Sequence, residues 1–168
     1  MRLSREEAFS RAQIFLQKNP CPFTIKVQQG HLTVKRLGNL MVEKGPSAPT
    51  FHDESNLYPI GFKAEYRDTD LGTLFQNEVL DGPDVFAEDV PAFRVEVLGP
   101  SAATFTDKKP QGVWRQVKQH LEDNGTEKEK KGAKAWSAIT LYYKFGLGNK
   151  EVSLHGLLLP CQLCHTLT

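Results

Sequence analysis

Residues 51–66 read FHDESNLYPIGFKAEY, and the fold turns on what the second half of that stretch does. Tyr58, Ile60, Phe62, Ala64 and Tyr66 alternate with Pro59, Gly61, Lys63, Glu65 and Arg67. Side chains of period two line opposite faces of a strand, so one face is apolar and the other turns polar towards its end. The first half holds His52, Asp53 and Glu54, side chains able to ligate a metal or carry a proton. Their adjacency works against such a role, because successive side chains of a strand point to opposite faces and three neighbours do not grip one ion. They read as loop residues that hydrogen-bond the chain into the strand.

Working outward, FTIKV and HLTVKRL flank the turn around Gly30 and predict a hairpin, with Phe23, Ile25 and Val27 on one face. EKGPSAPT, residues 43–50, is a loop by its prolines and glycine. Beyond the Tyr58 strand, TLFQNEVL and AFRVEVL continue as strands separated by the breaker DGPD, with Phe93, Val95 and Val97 on one face. The period then changes. Val113, Trp114, Val117 and Leu121 recur every three or four residues behind Asp107 and Pro110, which predicts a helix covering the sheet. Ser4 and Glu7 form a capping box for a short amphipathic helix ending at Asn19 and Pro20. EDNGTEKEKKGAK, residues 122–134, alternates in sign and reads as a solvated loop. WSAITLYYKF is β-rich by residue type, and Asn149 caps a short helix before Pro160. Strands in the middle with helices after them predict an α+β fold, an antiparallel meander covered by helices.

A chain of 168 residues has the size of one domain, and 39% hydrophobic with 24% charged residues describes a globular one. A formal net charge of +1 argues against a chain devoted to neutralising nucleic-acid phosphates. No stretch reaches the apolar length of a membrane span, and the opening MRLSREEAF lacks the apolar core of a signal peptide. Three cysteines, an odd number, suit a reducing compartment.

The sharpest chemical motif is CQLCH, in which Cys161, Cys164 and His165 match the spacing of covalent haem attachment or half a zinc site. Only Cys21 remains as a further thiol, and a tetrahedral zinc site needs four ligands. The cysteines read as small apolar residues beside Leu163. The glycines of GLG at 146–148 lack a full dinucleotide fingerprint, and Ser101, Ser137 and Ser153 sit in no nucleophile elbow. AEDV at 87–90 reads as a solvated turn. Lys128, Lys130, Lys131 and Lys134 are interleaved with Glu127 and Glu129, which dilutes any field for a nucleic acid. No catalytic, cofactor-binding or metal residue emerges.

LGNL at 37–40, FHDESNLYPIGFKAEY at 51–66 and EVLDGPDVF at 78–86 resemble the FY-rich N-terminal domain (FYRN). PAFRVEVLGPSA with GVWRQV, and more loosely KFGLGNKEVSLHGLLLPCQLC, are similar to the FY-rich C-terminal domain (FYRC). The resemblance implies an FYRN-like half over 37–86 and an FYRC-like half over 87–168, and leaves the N-terminal helix and hairpin extension over 1–36 and the charged insert 122–134 without a counterpart. The chain departs from the family pattern in EKEKKGAK and LYYK. Together the halves would make one module, with Phe51, Tyr58, Phe62 and Tyr66 as core and strand-pairing rings. Such modules occur in chromatin proteins of the mixed-lineage leukaemia methyltransferase and JmjC demethylase type, where other domains perform the catalysis. The implied role is a non-catalytic nuclear protein-interaction module without cofactor, metal, membrane or small-molecule substrate. Its implied partners are chromatin-associated proteins, subunits of histone-modifying complexes among them, and direct DNA binding is not expected. The alternatives are a nucleic-acid contact through the lysine-rich segment and a metal or haem protein using Cys161, Cys164 and His165.

Overall fold

The computed structural model describes residues 21–27, 30–39, 60–86 and 90–138, together with 141, 144 and 145. The elements are β1 (Phe23–Val27), β2 (Gly30–Asn39), β3 (Ile60–Asp68), β4 (Thr73–Asp81), β5 (Pro91–Leu98), β6 (Ala103–Asp107), α1 (Pro110–Asn124) and α2 (Glu127–Lys134). The described strands form one six-stranded sheet in chain order, and every neighbouring pair is antiparallel. The fold is α+β, and the meander is the one that strand alternation predicts.

In β3 the buried positions are Phe62, Ala64, Tyr66 and Asp68. Register carries that face across the sheet, with Tyr66 opposite Leu32 and Phe75, and Phe75 opposite Val97. One side of the sheet is therefore a floor of mostly apolar side chains, with Asp68, Thr73 and Asn77 set into it. β2 departs from strict alternation at a bulge between Val34 and Arg36. The tight β3–β4 connection rests on Gly72, whose φ of +69° is a conformation that L side chains rarely adopt.

Helix α1 lays Val113, Trp114, Val117 and Leu121 on this floor, all buried. Pro110 occupies the first turn, as its fixed φ favours, and the Asp107 carboxylate accepts the Lys109 amide at 3.0 Å. Trp114 meets Phe75 edge-on with centroids 5.0 Å apart and Tyr66 at 6.0 Å.

Two sequence expectations are corrected here. Residues 122–134 are not a solvated loop: Glu122–Asn124 complete α1, and α2 starts after a break at Gly125. Lys118 holds Glu122 at 3.1 Å one turn on. Thr126 and Glu129 form a reciprocal capping box, and Glu129 and Ala133 turn inward. The β-rich reading of WSAITLYYKF also fails at its described positions. Ala138, Leu141 and Lys144 are helical, and the Leu141 amide bonds the Ser137 carbonyl at 3.1 Å. Leu141, Lys144 and Phe145 stand at helical spacing, and all three are buried, so packing on the floor wins over β propensity. β6, which the sequence reading did not identify, adds the last strand.

The helix predicted from Ser4 to Pro20, the rings Phe51 and Tyr58, the residues His52 to Glu54, the helix after Asn149 and the CQLCH motif all lie outside the described residues. Among the described residues no helix is long and apolar enough to cross a membrane.

Candidate functional site

Among the described residues the buried charged side chains are Asp68, Glu129 and Lys144, and each fastens one part of the fold to another. Asp68 ends β3. Its Oδ1 accepts the amides of Asp70 at 2.9 Å and Leu71 at 3.0 Å, which sets the turn into β4. Its Oδ2 accepts from the Tyr66 hydroxyl at 3.1 Å and from Lys144 Nζ at 3.3 Å. Lys144 Nζ also donates to the Tyr66 oxygen at 3.1 Å.

The ammonium sits within a box of rings, 4.2 Å from the Trp136 centroid, 4.7 Å from Tyr66 and 5.9 Å from Trp114. Burial lowers the Lys144 pKa, and the attraction of Asp68, with a smaller part from Asp70, restores only some of the loss. The Tyr66 phenol moves the other way, driven far up by burial and then by Asp68. Rings closed by a carboxylate are the chemistry that holds alkylammonium groups. Here the occupant is the chain's own lysine, 4% exposed under a fully buried Trp114. The box is therefore a latch joining the 136–145 segment to the β3–β4 turn. Asn77 strengthens it from the middle of the sheet, donating to the carbonyls of Lys144 at 3.0 Å and Phe145 at 3.4 Å.

Glu129 forms a second latch without a cation in its hydrogen-bonded set. Its Oε1 accepts from Ser101 Oγ at 2.9 Å and the Thr126 amide at 3.2 Å, and its Oε2 accepts from Thr73 Oγ1 at 3.1 Å. Burial alone would raise its pKa, yet the Thr126 amide and the Ser101, Thr126 and Thr73 hydroxyls outweigh it, and the net shift is downward. Beside it, Leu71 lies where a side chain on Gly132 would have to stand, so α2 approaches the β3–β4 turn closely.

The other face of the sheet is uncovered by α1 and α2. Three rows cross it. One runs Lys26, His31, Arg67, Leu74, Leu98; the next runs Thr24, Thr33, Glu65, Gln76, Glu96, Thr104; the third runs Arg36, Lys63, Glu78, Arg94, Thr106. Lys35 reaches Glu65 at 2.8 Å, and Glu78 draws Arg94 to 2.7 Å and Arg36 to 3.8 Å.

The residues singled out in the sequence fall variously. Ser101 is a hydrogen-bond donor to Glu129, and the Ser137 carbonyl serves helix geometry. Lys128, Lys131 and Lys134 are exposed on α2, while Lys130 lies 3.8 Å from Glu127. Cys21 is a free, half-buried thiol that packs against the core. Asp68, Glu129, Asn77 and Lys144 escaped the sequence reading. For Glu129 a signal existed, since T-x-x-E at 126–129 is a capping box. For Lys144 none did, because its partners precede it by 76 and 78 residues.

Residues 21–80 match the family model described as F/Y-rich N-terminus. That stretch runs from ahead of β1 into β4, and so includes the hairpin that the sequence resemblance left in the extension. It contains the buried rings Phe62, Tyr66 and Phe75. A search of curated proteins found no match.

Proposed function

We propose that the chain is a non-catalytic protein-interaction module of a chromatin-associated nuclear protein. The observation that carries this reading is the employment of the buried charges: Asp68, Lys144 and Glu129 bond to neighbouring elements and are closed off from solvent. Catalysis needs such groups facing a substrate, whereas cross-links between elements serve a rigid docking scaffold. The family match supports the same reading, since F/Y-rich N-terminus domains are non-catalytic and occur in chromatin-associated regulators. Residues 87–168 act as the complementary FYRC-like half. β5 pairs with β4 along its whole length, and α1 covers the rings that the matched stretch supplies.

The test is affinity capture from nuclear extract with the full chain as bait and a heat-denatured sample of the same chain as the unfolded control. Recovery of chromatin proteins by the native chain alone supports the reading. Equal recovery by both baits, or methyl-transfer or demethylation activity in the purified chain, would sink it.

A further inference from the structure

The chain's formal net charge of +1 conceals a strong local imbalance. On the open face of β1–β3 stand Lys26, Lys35, Arg36, Lys63 and Arg67, against the single carboxylate of Glu65. The cations are accessible, the side chains of Lys35 and Arg36 being 42% and 63% exposed. The row Lys26, His31, Arg67 then passes into Leu74 and Leu98, a cross-strand leucine pair that is only half-buried. Charge at one end and an apolar pair at the other give the row a direction.

We propose that this face docks an acidic peptide segment carrying an apolar anchor, its carboxylates over Lys26 and Arg67 and its anchor over Leu74 and Leu98. The inference rests on the docking reading above and assigns it a surface and a partner chemistry. The dimensions agree: five strands about 4.8 Å apart span about 19 Å, the reach of about six extended residues. Nucleic acid fits less well. A nucleic-acid backbone, charged along its whole length and wider than one row, would lie over Glu65, Glu78 and Glu96, whereas a peptide along the row from Lys26 to Leu98 does not cross them. Among the described residues the three rows also present no Phe, Tyr or Trp ring on which a base could stack. The leucine pair has a use for a protein segment and none for a phosphate backbone.

The experiment is fluorescence anisotropy on the full chain, with a labelled synthetic peptide of several glutamates followed by two leucines. Binding that weakens as salt rises is expected, as is a loss of about tenfold or more in the Arg67→Glu variant. Lys26→Glu, on a different strand, should weaken binding in the same direction, and Leu98→Ala should cost affinity without changing the salt dependence. Thermal melts confirm that each variant is folded. Lys128→Glu with Lys131→Glu, on α2, should leave binding unchanged. The proposal is overturned by absence of binding at low salt, by full affinity in Arg67→Glu and Lys26→Glu, or by equal loss in the α2 variant. Tighter binding of a labelled DNA duplex, lost through the same charge reversals, would also overturn it. A chromatin protein still captured by Arg67→Glu would leave the docking reading standing and remove its assignment to this face.

Discussion

The two faces of the sheet use the same strands in the same register, one residue out of step. Tyr66, Phe75 and Val97 form a row on the covered side, and their immediate neighbours Glu65, Gln76 and Glu96 form the row on the open side. The covered row lies beneath Trp114 and Trp136. The open row meets solvent and charges on its own strands. Burial of large rings stabilises by several kcal/mol each, whereas exposed ion pairs contribute about 0–1 kcal/mol. Stability therefore belongs to one face, and the other contributes little to it.

The severest way to test that division is to remove the cover. Fragments 1–86 and 87–168, produced separately, should be unfolded or aggregated and should regain structure on mixing, as followed by circular dichroism. Two independently cooperative melts would break the comparison. Trp114→Ala should come next, costing about 3–5 kcal/mol in denaturant titration through the cavity it leaves. A loss no larger than an open-face substitution gives would show that the ring is not part of the stabilising layer. Lys144→Met keeps the apolar stem and removes the cation from beside Asp68, and should cost about 3 kcal/mol. A neutral outcome would mean that Tyr66 and the two turn amides suffice for that carboxylate.

Glu129→Gln gives a smaller effect that depends on pH. Its folded pKa lies below the ordinary glutamate value, so its contribution is complete above that ordinary value and is lost as pH falls through the folded one. Wild type should thus lose more stability than Glu129→Gln between neutral and acid pH, and parallel losses would contradict the assigned hydrogen bonds. Smallest of all, Arg94→Ala should change stability by about 1 kcal/mol or less despite its 2.7 Å bond to Glu78, since the arginine side chain is 41% exposed. A large loss would give the open face a structural role.

What could be read from sequence follows the same division. β1–β5 and α1 were legible because their apolar residues repeat at two or about 3.6, and periodicity records which side faces the core. β6 was missed, since ATFTD offers Phe105 as its single large apolar residue. α2 was missed because its inner face is built from Glu129, Gly132 and Ala133, and a search for apolar spacing passes over all three. Lys144 was passed over because lysine is almost never buried without a partner, and its partner lies on a distant strand. The rings of FHDESNLYPIGFKAEY were read correctly as packing residues where they are described, at Phe62 and Tyr66. What Tyr66 packs against, a sealed ammonium, is a tertiary fact that no local pattern encodes.

The bulge in β2 also bears on how the chain tolerates changes in length. Lys35 reaches Glu65, Arg36 reaches Glu78, and both of those carboxylates lie on the open side, so two consecutive residues share one face. One of them is surplus to the strand's parity. Deleting Lys35 would restore plain alternation, with Val34 still inward and Arg36 still outward. Deleting Thr33 instead would invert one side of the strand relative to its neighbours. β2 thus contains a spare residue, a point where the chain can shorten by one while both faces keep their membership.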